Sequence, residues 1–185
     1  SELYDIKNDK VIFGYYINKN LAQLAYNLSR KYALKAKIAF DNYELLISKE
    51  KSYMYNGFFQ NHKIKQIMLI HSNRYLMSFI ENYLKLMNGK ILNESVALDE
   101  DYWFSLSNAN ASKGLMLKVL ANYLNIPLTH TIVIGNDYND ISMFRLCSNS
   151  FAVANSCPVL KEHAKYITSD NNHDGVYQAL SFFFQ

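Results

Sequence analysis

Oxygen-bearing side chains follow a short β-branched run near the middle of the second half of this chain. Residues 131–134 are apolar or β-branched, and the run breaks at Gly135 into a polar cluster: Asn136, Asp137, Asn139 and Asp140. In open α/β sheets, ligands bind at the carboxyl ends of the strands. Carboxylates and carboxamides this close together favour a cation or a polar substrate among them. The sequence therefore predicts half of a Mg²⁺ and phosphate site, although a solvated turn has a similar composition.

Three further polar residues stand where other predicted elements begin or end. Lys113, followed by Gly114, opens a predicted helix, where a positive charge is unfavourable for the helix dipole and so indicates another role. An ordinary surface lysine is the alternative. Asn155 follows a predicted strand, and Asp174 opens the last predicted helix. Each signal is weak by itself, but their order and spacing together are specific.

Strands and helices alternate after residue 112, a pattern typical of a parallel sheet. The predicted strands are 131–134, 150–154 and 166–168, and the predicted helices are 113–124, 139–147, 158–164 and 175–184. Residues 3–17 instead predict a hairpin, and residues 20–107 an α+β module with helices at 20–32 and 74–87. On the second of these helices the spacing predicts one apolar face: Leu76, Phe79, Ile80, Tyr83, Leu84 and Met87.

The bulk composition excludes several classes of partner. Nineteen Lys and Arg against 16 Asp and Glu give a net charge of +3 with no basic block, so we expect neither a nucleic-acid nor a membrane partner. No long apolar run or signal peptide is visible, and Cys147 and Cys157 fit neither a zinc pair nor a redox pair. We therefore expect reduced thiols and a cytoplasmic location. The five histidines show no metal-binding spacing, so we interpret each as an ordinary surface or core residue.

Taken together, these motifs resemble the haloacid dehalogenase (HAD) superfamily, in its Cof-type branch of sugar-phosphate phosphatases. Lys113 matches the phosphate-contacting lysine of a K-G pair, and the loop 135–140 resembles the Mg²⁺-holding G-D-x-x-N-D. Asn155 and Asp174 fall on the G-N-A and N-D-x-D-G-V segments. The resemblance implies catalytic roles for Lys113, Asn139 and Asp140. It implies Mg²⁺ ligands among Asn136, Asp137 and Asp140, and substrate or phosphate binding by Asn155 and Asp174.

The resemblance also implies an α/β fold in which a partial Rossmann-like core with a parallel sheet carries an α+β cap. We expect residues 1–19 to form a hairpin linking core and cap, residues 20–108 to form the cap domain, and residues 109–185 to form the C-terminal half of the core.

Two departures from the family pattern qualify this prediction. The family's D-x-D-G-T segment, which supplies the nucleophile and the general acid, is not found, and the D-x-D at 99–101 reads as an acidic hairpin turn. We therefore expect a fragment that is inactive by itself. The first metal-loop acid of the family is replaced by Asn136, which carries no charge and should weaken Mg²⁺ binding.

The resulting hypothesis is a piece of a Mg²⁺-dependent phosphatase that acts on a small phosphorylated metabolite such as a sugar phosphate. A non-catalytic remnant or anion-binding module is the main alternative. Another phosphate enzyme, such as a mutase or a nucleotide-binding protein, is a third, weakened because no G-x-x-x-x-G-K-[ST] or G-x-G-x-x-G occurs. We also expect the strand at 131–134 to be an open edge that pairs with a second copy or is covered by the N-terminal hairpin.

Overall fold

The computed structural model describes residues 2–40, 43–47, 57–87, 90–96 and 101–184, with only the backbone for 90–96. The chain divides into two compact units, Ser1–Ala111 and Ser112–Gln185. Parts of four predicted features lie outside the described residues: the turn at 41–42, the loop from 50 to 56, the helix end at 88–89, and the acidic turn at 99–100.

The first unit begins with the predicted hairpin. Strands β1 (Glu2–Asp5) and β2 (Lys10–Gly14) pair antiparallel. The Asp5 carboxylate accepts hydrogen bonds from the side-chain amide of Asn8 at 2.7 Å and from its backbone N–H at 3.1 Å. These bonds favour the ionised carboxylate and lower the pKa of Asp5, and they hold the polar turn between the two strands.

This unit also contains a five-stranded antiparallel sheet, in the order β4-β3-β5-β7-β6. Its strands are β3 (Lys35–Phe40), β4 (Glu44–Ile47), β5 (Ile64–His71), β6 (Lys90–Val96) and β7 (Tyr102–Ser107). The D-x-D segment at 99–101 lies between β6 and β7, which pair antiparallel. Asp101 forms an ion pair with Lys35 at 3.0 Å. The acidic turn itself stays a prediction, because residues 99 and 100 lie outside the described part of the chain.

Two helices pack on one face of this sheet. Helix α1 (Lys19–Lys31) is capped by Asn18, whose side-chain oxygen accepts from the N–H of Asn20 at 2.9 Å. Helix α2 (Arg74–Leu86) is capped by Asn73, which accepts from the N–H of Leu76 at 3.1 Å. One hydrophobic core joins both helices to the strands, and its fully buried members include Ile38, Ile67, Leu69, Ile80, Leu84 and Leu106.

The predicted buried face of α2 is wrong in part. Ile80 and Leu84 are fully buried, but Met77 completes the buried stripe, whereas Phe79 and Tyr83 are 56% and 36% exposed. The two exposed rings stack on each other with centroids 6.5 Å apart. Apolar side chains cover more of the circumference of α2 than the sheet can contact, so periodicity alone could not select the correct stripe.

The second unit is a three-stranded parallel sheet, in the order β10-β9-β8, with helices connecting its strands. The strands are β8 (Ile132–Gly135), β9 (Asn149–Val153) and β10 (Tyr166–Thr168), and the helices are α3 (Lys113–Leu124), α4 (Ile141–Phe144), α5 (Pro158–His163) and α6 (Gly175–Ser181). The predicted helix at 139–147 is shorter in the structure, because a 3₁₀ turn at Tyr138–Asp140 precedes α4. The hydrophobic core of this second unit includes Val133, Phe144, Cys147 and Leu160.

Strand β8 lies at one edge of the parallel sheet. Among the described strands it hydrogen-bonds only to β9, while β1 and β2 form a two-stranded sheet of their own. The expectation that this edge pairs with a second copy or is covered by the N-terminal hairpin stays a prediction. Both cysteines are free thiols, and burial raises the pKa of Cys147. Within the described ranges, every helix is too short or too polar to cross a membrane.

Candidate functional site

The candidate site lies at the carboxyl ends of the three parallel strands. Because β8, β9 and β10 run in the same direction, the polar segments that follow them, at 136–140, 154–157 and 169–174, share one edge of the sheet. Helix α3 contributes its first residue, Lys113, to the same edge through its ion pair with Asp140.

The centre of the site is the buried carboxylate of Asp140, a residue that is 2% exposed. Its Oδ1 accepts a hydrogen bond from the ammonium of Lys113 at 2.5 Å. Its Oδ2 accepts from the backbone N–H groups of Asn136 at 2.9 Å and Asp137 at 3.2 Å. The predicted convergence of Lys113 and the polar cluster after β8 is therefore confirmed.

Gly135 makes this arrangement sterically feasible. A Cβ atom at this position would lie 2.7 Å from the Cβ of Asp140 and 2.8 Å from its Oδ2, closer than side-chain atoms can approach. The end of β8 can therefore fold back over the Asp140 carboxylate only because residue 135 has no side chain.

The start of α3 is built to place Lys113 opposite that carboxylate. Ser112 caps the helix by accepting from the N–H of Leu115 at 3.2 Å, and the N–H of Gly114 donates to Ser142 Oγ at 2.9 Å. A Cβ at Gly114 would lie 2.2 Å from the backbone oxygen of Ser142, so α3 and α4 touch at this glycine. The negative charge of Asp140 offsets the unfavourable placement of a lysine at a helix start. The Lys113 side chain is 49% exposed, so its ammonium is still accessible to a ligand.

Of the other polar residues in the loop, Asp137 stabilises the local backbone, whereas Asn136 and Asn139 have exposed side-chain amides. Asp137 caps the 3₁₀ turn, since its Oδ1 accepts from the N–H of Tyr138 at 2.7 Å, and it forms a reciprocal capping box with Asp140. Asn136 and Asn139 are exposed, and their side chains make no hydrogen bond within the described part of the chain. These two amides are therefore accessible to a ligand, as is the ammonium of Lys113.

This donor set fits a Mg²⁺ ion only in part. Magnesium prefers six oxygen ligands and is usually held by one or two carboxylates together with substrate phosphate. Both oxygens of Asp140 already accept hydrogen bonds from the protein, and no cluster of three or more His, Cys, Asp or Glu groups suited to a metal exists among the described residues. The assignment of Asn136, Asp137 and Asp140 as metal ligands therefore stays a prediction.

Hydrogen bonds link the loop after β9 to both of its neighbours. The N–H of Cys157 donates to the carbonyl of Asn136 at 3.0 Å. Asn155 Nδ2 donates to Asn171 Oδ1 at 2.5 Å, and the N–H of Asn171 donates back to Asn155 Oδ1 at 3.4 Å. Lys161 Nζ donates to the carbonyl of Ala154 at 2.5 Å. Asn155 thus lies in a row of three loops joined by hydrogen bonds, and its role in binding substrate or phosphate stays a prediction.

Asp174 is placed differently from the other predicted site residues. It opens α6 in a left-handed conformation with φ of 57°, and its side chain does not cap the helix. Within the described residues its exposed carboxylate forms no ion pair with Lys113 or any other group. The structure therefore puts Asp174 beside the edge without joining it to the Lys113–Asp140 pair.

Sequence reasoning missed three contributors at this edge: Ser142, Lys161 and the pair formed by Asp170 and His173. Both oxygens of Asp170 lie 2.8 Å from His173 Nδ1. This contact, followed by the bond from the N–H of Asn172, lowers the pKa of Asp170. The three-residue separation of an Asp and a His after the last strand was the one available signal, and it is common in ordinary loops.

A family model for haloacid dehalogenase-like hydrolases matches residues 4–180. The chain belongs to this family. The match covers both units, so the HAD resemblance predicted from the motifs is confirmed, together with the α/β fold of core and cap.

Individual relatives agree with this HAD assignment. The protein named "Putative phosphatase MG265" from Mycoplasma genitalium is 27% identical over 181 residues, covering 92% of this chain and 62% of its own length. A HAD-like hydrolase structure from Bacteroides thetaiotaomicron superposes with a TM-score of 0.82 at 19% identity, over 99% of this chain and 73% of that one. The structure of a HAD subclass IIB sugar phosphatase superposes with a TM-score of 0.70 at 15% identity, over 96% of this chain and 71% of that one. The chain thus spans about three fifths of the length of MG265, and the structural matches show the fold alone.

Proposed function

We propose that this chain provides the phosphate-binding part of a HAD phosphatase that acts on small phosphate monoesters such as sugar phosphates. The observation that carries the proposal is the Lys113–Asp140 pair at the carboxyl edge of the parallel sheet, 2.5 Å apart. Family membership and relatives named as phosphatases support it. The proposed binding partner of this site is a small phosphorylated metabolite.

The chemistry assigned to Lys113 is electrostatic. Its ammonium has three donors, one of which is held by Asp140, so two remain for phosphate oxygens. A cation fixed in place before the reaction stabilises the charge that develops on a transferring phosphoryl group. Asp140 is then a positioning residue for Lys113, and its second oxygen orders the backbone of the loop. This explains why the carboxylate is buried while the ammonium is half exposed.

A Mg²⁺ ion would be held by Asn136 Oδ1 and the carboxylate of Asp137, with further ligands from substrate phosphate. When bound, it would neutralise phosphate charge alongside Lys113. Because Asn136 is neutral, we expect weak binding by this chain. The Asn136→Asp variant should bind Mg²⁺ on the order of tenfold more tightly, since ligand charge tunes affinity. Calorimetric titration with Mg²⁺ checks this, and an Asn139→Asp variant tests whether any added carboxylate in the loop suffices.

Anion binding provides the direct test of the phosphate site. Titration of the 185-residue chain with inorganic phosphate should shift the NMR signals of Lys113 and of the 136–140 backbone. Lys113→Ala should weaken phosphate binding about tenfold or more, because a charge-assisted hydrogen bond contributes about 1.5–3 kcal/mol. Lys118→Ala is the matched control, since Lys118 is an exposed lysine on the same helix. Equal effects of the two substitutions would contradict the proposal.

Turnover by the chain alone is a separate question. No D-x-D-G-T segment occurs in the 185 residues, so we expect no hydrolysis of glucose 6-phosphate even with Mg²⁺ present. Activity that disappears with Lys113→Ala would reveal a nucleophile within the chain and would require a different assignment of the site.

A second candidate function is a non-catalytic anion-binding module, and Asn136 is the observation that favours it. Both proposals predict phosphate binding at Lys113. They differ in the response of the whole protein to Asn136→Asp, which should raise Mg²⁺-dependent hydrolysis in a phosphatase and leave a binding module inactive.

A further inference from the structure

The loop that follows β10 carries a histidine whose orientation is fixed by a neighbouring carboxylate. Asp170 contacts His173 Nδ1 through both oxygens at 2.8 Å, and its carbonyl accepts from the N–H groups of His173 at 3.2 Å and Gly175 at 3.1 Å. An ionised carboxylate only accepts hydrogen bonds, so Nδ1 carries the proton in this contact. The other ring nitrogen, Nε2, has no partner among the described residues, and the side chain is 76% exposed.

Several contacts hold this loop firmly against the sheet. The N–H of Ser169 donates to Gln178 Oε1 at 2.7 Å. A Cβ at Gly175 would lie 2.0 Å from the Ser169 carbonyl oxygen, so the chain closes on itself there. The reciprocal bonds between Asn155 and Asn171 tie the loop to its neighbour along the edge. His173 therefore lies on a loop whose conformation is fixed by these contacts.

The position of the loop suits the part of a substrate beyond its phosphate. β9 separates β10 from β8, and two strand spacings amount to about 10 Å. A phosphate group at Lys113 would not reach the loop after β10, but the body of a hexose-sized ester lying along the edge would. Among the described residues, His173 belongs to no cluster of three or more His, Cys, Asp or Glu groups that could hold a metal ion.

Charge selects the chemistry of that ligand. Asp170 and Asp174 flank His173, and an extra anionic group would meet two carboxylates. A neutral hydroxyl group meets no such repulsion and can donate a hydrogen bond to Nε2. We propose that His173 is a specificity-determining residue that accepts a hydrogen bond from a hydroxyl group of a sugar or polyol monophosphate. This inference rests on the proposed function of Lys113 as the phosphate contact.

NMR titration of the 185-residue chain with glucose 6-phosphate and with inorganic phosphate tests the proposal. Glucose 6-phosphate should shift the Lys113, 136–140 and His173 ring signals, whereas inorganic phosphate should leave the His173 ring unchanged. His173→Ala should weaken glucose 6-phosphate binding about three- to tenfold and leave inorganic phosphate affinity unaltered. His130→Ala, which removes an exposed histidine before β8 at the opposite end of the strand, should change neither affinity.

The possible outcomes separate the two proposals. If neither probe shifts Lys113 and the 136–140 loop, the phosphate site is wrong. If both probes shift them and His173→Ala lowers both affinities equally, His173 serves only the structure of its loop and the inference is overturned. Fructose 1,6-bisphosphate should bind no more tightly than glucose 6-phosphate. A gain in affinity that depends on His173 would mean that this residue binds a second phosphate, and the hydroxyl assignment would be wrong.

Discussion

At the scale of single residues, the site is organised by one buried carboxylate. Asp140 links the ammonium of Lys113 to the backbone of residues 136 and 137, and Gly135 permits the close approach that this requires. The sequence predicted that Lys113 and Asp140 would meet, because both fall on motifs whose order is specific. It could not predict that Asp137 would serve as a helix cap, since a carboxylate in a loop has the same sequence signature in either role.

Ser156 offers a residue-scale test of packing beside the site. Its hydroxyl is buried and has no hydrogen-bond partner among the described groups. A buried unsatisfied hydroxyl costs stability, so Ser156→Ala should raise the free energy of unfolding by about 1 kcal/mol. Ser150→Ala is the matched control, because Ser150 Oγ accepts from the N–H of Lys165 at 3.0 Å and its loss should lower stability by a similar amount. Urea denaturation of both variants measures the difference, and a loss of stability in Ser156→Ala would indicate an undetected partner for the hydroxyl.

At the scale of elements, the sequence predicted where helices and strands begin and end more reliably than which of their faces is buried. The strand at Ile64–His71 and the helix at Lys113–Leu124 begin and end where the apolar pattern and the capping residues indicate. The buried face of α2 did not follow, because aromatic residues on its exposed side mimic a core stripe. The link between the loops after β9 and β10 also escaped prediction, since hydrogen bonds between asparagines depend on strand order.

Strand β8 carries a prediction at this scale. It has one strand neighbour among the described residues, and Ile132–Gly135 therefore presents unpaired backbone groups along its other side. Such an edge pairs readily with another chain, so we expect the 185-residue chain to form a homodimer through β8. Sedimentation should show a dimer, and amide exchange at 132–134 should slow as concentration rises. Val133→Pro should abolish the effect, whereas a monomer with rapid exchange at every concentration would refute the proposed pairing.

At the scale of the whole molecule, the change of pattern near residue 110 separates two kinds of architecture. The antiparallel sheet with its two helices lies in one compact unit, and the parallel sheet that carries Lys113 and Asp140 lies in the other. Periodicity and the alternation of strands with helices revealed this difference in sheet type. They could not reveal the Asp170–His173 pair, because its meaning depends on which strands lie side by side and on which loops meet at their ends.

The hydrogen bonds that hold the Asp140 carboxylate affect the rate at which an anion binds. Both oxygens of this carboxylate are already held by the chain's own lysine and backbone amide groups, so the Lys113–Asp140 pair is in place before a ligand arrives. The association rate should then be limited by diffusion and by charge attraction, so it should fall as ionic strength rises. The observed rate should keep rising with ligand concentration and should not reach a plateau.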